Sequence, residues 1–70
     1  MEFKARYPNL AVDLSKANYL FGVEGRIHGQ MKLHGFPKSV RREFTVEIQQ
    51  AETFEEQVSI ARRWVTVLKA

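Results

Sequence analysis

The segment that most constrains this chain is Glu43–Ala70, where a strand-like alternation passes through Ala51-Glu52-Thr53 into a two-faced helix. In Phe44-Thr45-Val46-Glu47-Ile48-Gln49 the apolar side chains take alternate positions and two of the three are β-branched, which predicts a half-buried strand. Thr53 precedes Phe54-Glu55-Glu56, so its hydroxyl can accept from a first-turn N–H while Glu56 reaches back. That capping box predicts a helix starting at Phe54. From Phe54 to Leu68 the apolar residues recur at the helical period and fill about half the circumference, with Gln57 the only polar member and Trp64 near the middle. The opposite half carries Glu55 and Glu56 first and Arg62, Arg63 and Lys69 last, the order a helix dipole prefers.

Upstream, Phe3, Ala5 and Tyr7 alternate with charged residues and predict a short strand ended by Pro8-Asn9. Leu10–Ala17 reads as a loop or short helix, followed by a strand from about Asn18 to Ile27. His28-Gly29 is a candidate hairpin turn, after which Met31 and Leu33 resume the alternation. Pro37 cannot donate to a ladder, so that strand is expected to end near Phe36 and a third to begin around Val40. The expected fold is therefore α+β: a small antiparallel β-meander of about three strands with a C-terminal amphipathic helix packed on one face. Its outward row on the third strand would be Glu43, Thr45, Glu47 and Gln49, a polar edge.

At 70 residues the chain fits one domain with one small core, and association with a larger partner or a second copy would add stability, a homodimer being one such form. It contains no cysteine, so neither disulfides nor thiolate zinc are available, and an intracellular, cytoplasmic setting is the default expectation. The opening residues Met1–Arg6 alternate charge instead of forming an apolar run, so neither a signal peptide nor a membrane span is expected. A formal charge of +3 and a pI near 9.6 lean basic, but eight acidic residues are interleaved.

Candidate chemistry is sparse. His28 and His34 have only Glu24 nearby in sequence, too few donors for a zinc site, so no metal or cofactor is expected. Ser15, Ser39 and Ser59 lie in no nucleophile elbow or triad pattern, and the chain is not expected to be an enzyme. Gly22-Val23-Glu24-Gly25 has the outline of a phosphate-approaching Gly-x-x-Gly loop, but Glu24 would oppose the phosphates, and glycines that relieve crowding or bend a strand fit better. Lys38, Arg41 and Arg42 form one basic group and Arg62, Arg63 and Lys69 a second; either is a solvated charged face or a contact surface for carboxylate or phosphate. No helix-turn-helix, zinc-finger or ribonucleoprotein aromatic motif is legible.

The strand-then-capped-helix ending resembles that of several tiny inhibitors encoded by bacteriophages, a likeness that covers under half the chain. Without catalytic or metal constellations, and with a mixed charged face suited to polar docking, the chain reads as a regulatory or inhibitory protein that binds the surface of a larger intracellular protein or nucleoprotein, with Lys38, Arg41, Arg42, Arg62 and Arg63 as contact residues. The alternative is a small basic nucleic-acid-binding domain placing the same residues on phosphates.

Overall fold

The computed structural model of the chain describes residues 5–15 and 20–69, and all side chains within them except those of Leu20 and Phe21. Strand β1 (Tyr7–Asp13) is followed by helices α1 (Leu20–Leu33), α2 (Lys38–Ile48) and α3 (Phe54–Trp64), and strand β2 (Val65–Lys69) closes the order. The strands pair with each other in parallel, with Tyr7 opposite Val65, Val12 opposite Val67 and Asp13 opposite Lys69. A parallel pair needs a long crossover, and here the three helices supply it.

The antiparallel meander expected from the alternation is therefore not formed: the described residues hold two parallel strands and three helices. The physical reason lies in a spacing of four residues, which satisfies both a two-residue and a 3.6-residue period. Val23, Ile27 and Met31 are so spaced, and all three are completely buried as one stripe of α1. Phe44 and Ile48 repeat the pattern in α2. The deciding positions are those between, which a strand would bury: Gly25 and Gly29 face outwards, Leu33 is 78% exposed and Val46 53% exposed. His28-Gly29 is accordingly a stretch of helix and not a turn. Nor does Gly25 relieve crowding, since a Cβ there would meet no atom within 4 Å. Of the predicted strand over Asn18–Ile27, Asn18 and Tyr19 lie outside the described residues, as does Phe3 of the predicted first strand. That first strand does not stop at Pro8-Asn9, which lie within β1. Proline is tolerated there because among the described residues β1 has only β2 as a neighbour, and the Pro8 carbonyl accepts from the Thr66 hydroxyl at 2.7 Å.

The capped helix does start where expected. Thr53 is extended, and its hydroxyl accepts from the Glu56 N–H at 3.1 Å. Gln57, Val58, Ile60, Ala61 and Trp64 are its buried residues. It stops at Trp64, however, and does not run on to Leu68, because Val65-Thr66-Val67 is a β-branched run that packs better on a pleated surface. Val65 is already extended, and the following residues pair with β1.

The turn between α1 and α2 is tightly determined. Gly35 takes a left-handed φ of +76°, its N–H donates to the Lys32 carbonyl at 3.1 Å, and the Phe36 N–H donates to the Met31 carbonyl at 2.9 Å. These are the paired bonds of a Schellman cap, and Pro37 then pre-sets the extended entry to α2. The three helices pack against one another, and α1 and α3 also against the strands, around Trp64, Phe44, Leu14, Ile27, Met31 and Ile48. Burying each such aliphatic side chain contributes about 1.5 to 3 kcal/mol.

Candidate functional site

Helix α2 has one face in the core and one in solvent. Phe44 and Ile48 point inwards, while Lys38, Ser39, Arg42, Glu43, Val46, Glu47 and Gln50 line an open groove along its outer side. Both carboxylates are engaged. Glu43 Oε1 pairs with Arg6 Nη1 at 2.9 Å across to the N-terminal end of β1. Glu47 Oε2 accepts from the Trp64 indole at 2.9 Å, and its Oε1 lies 3.6 Å from Arg63 Nη2. The Arg6 guanidinium also lies 4.1 Å from the Trp64 ring centroid, within cation–π range. Its hydrogen bond to Glu43 raises the Arg6 pKa further above its ordinary value, so the guanidinium stays charged at any physiological pH. Phe44 meets Trp64 edge-on at 5.5 Å, and Tyr7 bridges Trp64 and Phe36.

The five basic residues singled out by sequence do not form one patch. Lys38 and Arg42 share the α2 groove. Arg41, half-buried, donates its Nε to the Phe36 carbonyl at 3.2 Å and so helps hold the turn. Arg62 lies with Glu55, Val58 and Ser59 on the outer side of α3. Arg63 lines a depression with Glu55 and Glu56 and also pairs with Glu47. The α3 arginines thus sit among acids, whereas among the described residues no ion pair involves Lys38 or Arg42.

Lys32 and His34, both exposed at the α1–α2 corner, and Ser39 at the start of α2 join the basic side of the molecule. A sequence signal for them exists: residues 25–42 contain Arg26, Lys32, Lys38, Arg41 and Arg42 and not one Asp or Glu. The eight acids lie outside that window, with Glu52, Glu55 and Glu56 gathered at the start of α3. Among the described residues there is no group of three or more His, Asp or Glu able to hold a metal ion, and no helix long and apolar enough to cross a membrane. The edge row expected on a third strand dissolves with that strand: Glu43 and Glu47 now flank a helix face.

Comparison with known proteins returns no match to this chain, whether against family models, curated proteins or solved structures. The resemblance to phage-encoded inhibitors loses its footing as well, since the strand that was to lead into the capped helix is helix α2.

Proposed function

We propose that this chain is a small non-catalytic binding protein that lays the α1–α2 corner and the outer face of α2 on an anionic surface of a larger partner. Occupying that surface is how such a chain would regulate or inhibit. The observation that carries the reading is the segregation of charge: the corner holds Lys32, Lys38 and Arg42 on the exterior with no acid between residues 25 and 42, while Glu43 and Glu47 are answered by Arg6 and Arg63. Uncountered cations on one face create a local potential that attracts and orients a polyanion.

Heparin chromatography over a salt gradient tests this. Lys38→Ala/Arg42→Ala and Arg62→Ala/Lys69→Ala each remove two positive charges from exposed positions. The first variant is expected to elute at clearly lower salt than the second. Equal elution would mean that net charge alone sets retention, and the corner would not be the binding face.

A further inference from the structure

Resting on that reading, we propose that the anionic partner is double-stranded DNA, with α2 entering the major groove and the corner cations on the flanking phosphates.

The connection between α1 and α2 supplies the frame. Two helices are joined by four residues, His34-Gly35-Phe36-Pro37, whose conformation is fixed by the left-handed glycine and the two capping hydrogen bonds. That is the turn length and glycine use of helix-turn-helix units, in which the second helix is the one presented to DNA. Helix α2 is presented in this way: α1 and α3 pack against it, and its outer face is left to solvent. Its 11 residues form a rod about 16 Å long, and an α-helix fits the roughly 12 Å width of the B-form major groove.

The chemistry of the outer face then selects among partners. A helix that docks in an apolar protein groove needs several large anchors at helical spacing, and this face offers only Val46. The rest is polar or charged: Lys38, Ser39 and Arg42 near the N-terminal end, the ion-paired Glu43 and Glu47 along the middle, and Gln50 just beyond the C-terminal end. In helix-turn-helix docking it is the N-terminal residues of the second helix that reach base edges and phosphates. Single-stranded nucleic acid calls for exposed aromatic rings on which bases stack. The large exposed apolar residues described here are Leu33, Val46 and Leu68, none of them aromatic, and Tyr7, Phe36, Phe44 and Trp64 are packed on one another. Duplex RNA hides its base edges in a deep, narrow major groove that a helix cannot enter. Among nucleic acids, B-form DNA is the one this face fits, and the acids that would oppose it there, Glu43 and Glu47, are held by Arg6, Arg63 and Trp64.

Fluorescence anisotropy with a labelled mixed-sequence DNA duplex of about 24 base pairs, over a salt series, tests the proposal beside the matching single strand and the matching RNA duplex. The expected result is binding at low salt that favours the DNA duplex over both by at least about tenfold, with a log–log salt slope near −3 for three or four phosphate contacts. Lys38→Ala/Arg42→Ala should lower that slope by about two. Val46→Trp, which places a bulky ring at mid-helix without changing charge, should weaken DNA binding about tenfold or more while circular dichroism stays unchanged. No duplex binding at low salt, equal affinity for single strand or RNA, or an unaltered affinity in Val46→Trp would each overturn the proposal. If the heparin contrast holds and the DNA experiment fails, the corner still binds an anionic partner, and an acidic protein takes the place of DNA. If the heparin contrast fails, the corner reading falls first.

Discussion

The two ends of α2 treat charge in opposite ways. Towards its middle and C-terminal end, Glu43 and Glu47 are tied to Arg6, Arg63 and Trp64, so that β1, α2 and the end of α3 are stitched together by ionic and aromatic contacts. At its N-terminal end, Lys38 and Arg42 have no ionic partner among the described residues, and the exposed Lys32 and His34 close the preceding helix and turn. The same helix therefore contributes stability at one end and an uncompensated potential at the other. A face kept positive while nearby acids are paired internally is suited to recruiting an anion, not to holding the fold.

The largest effect expected of a single change lies on the stitched side. Trp64 is 1% exposed and packed by Phe44, Tyr7 and Arg6, so Trp64→Ala should cost about 3 to 5 kcal/mol in urea unfolding. A loss well under 1 kcal/mol would erase the contrast between the two ends. Next comes Glu47→Ala, which leaves the buried indole N–H without its acceptor and should cost about 1 to 2 kcal/mol. Glu47→Gln keeps an acceptor and should recover part of this. Because Trp64 is the only tryptophan, its emission reports the change directly. Arg42→Ala, by contrast, should leave stability within about 0.5 kcal/mol, and a larger loss would move Arg42 from the recognition end to the stitched one.

How much of this was legible in the sequence depends on local redundancy. The start of α3 was readable because Thr53 and Glu56 make a cap that has no strand counterpart. The run of β1 past Pro8-Asn9 was not, because that pair reads locally as a turn, and the whole of α1 and α2 were not, because apolar residues four apart fit either period and the intervening Gly25 and Gly29 oppose neither. Val46 and Leu33 even favoured the wrong answer: both are apolar at positions a strand would bury, yet they are exposed. The end of α3 could have been placed at Trp64 from the β-branched run that follows, but its pairing with β1 spans nearly the whole chain and leaves no local trace. At the candidate site, Lys38 and Arg42 were found from sequence as cations. Their separation from Arg62 and Arg63 follows from helix packing, which only three-dimensional structure supplies.

The helical reading of α1 can be sharpened by smaller changes. Gly25 and Gly29 are exposed and open to an added Cβ, so Gly25→Ala and Gly29→Ala should each stabilise by about 0.4 to 1 kcal/mol, read as a rise in thermal midpoint. A strand or hairpin turn at these positions would gain nothing or lose, so destabilisation by both would restore the meander and remove the platform on which α2 is presented.

The smallest effect tests whether acids elsewhere are also absorbed by the fold. Asp13, at the end of β1 opposite Lys69, accepts from the Ser15 N–H at 2.8 Å, and hydrogen bonding to Ser15 is the main cause that lowers its pKa below the ordinary 3.8. A carboxylate whose folded pKa is depressed contributes stability that is present above its unfolded value and is lost as pH falls through the folded one. Asp13→Asn keeps an acceptor for Ser15 but not the charge, so the wild-type advantage over Asp13→Asn should be visible near neutral pH and close below 3.8. Urea midpoints for the two proteins across that range check it, with added salt narrowing the gap because the site is open to solvent. A gap that widens on acidification would reverse the sign and remove Asp13 from the acids that the fold holds in place. If the gap closes as expected, Asp13 joins Glu43 and Glu47 as a carboxylate whose charge is met within the chain, and the uncountered charge at the α1–α2 corner stands out the more sharply.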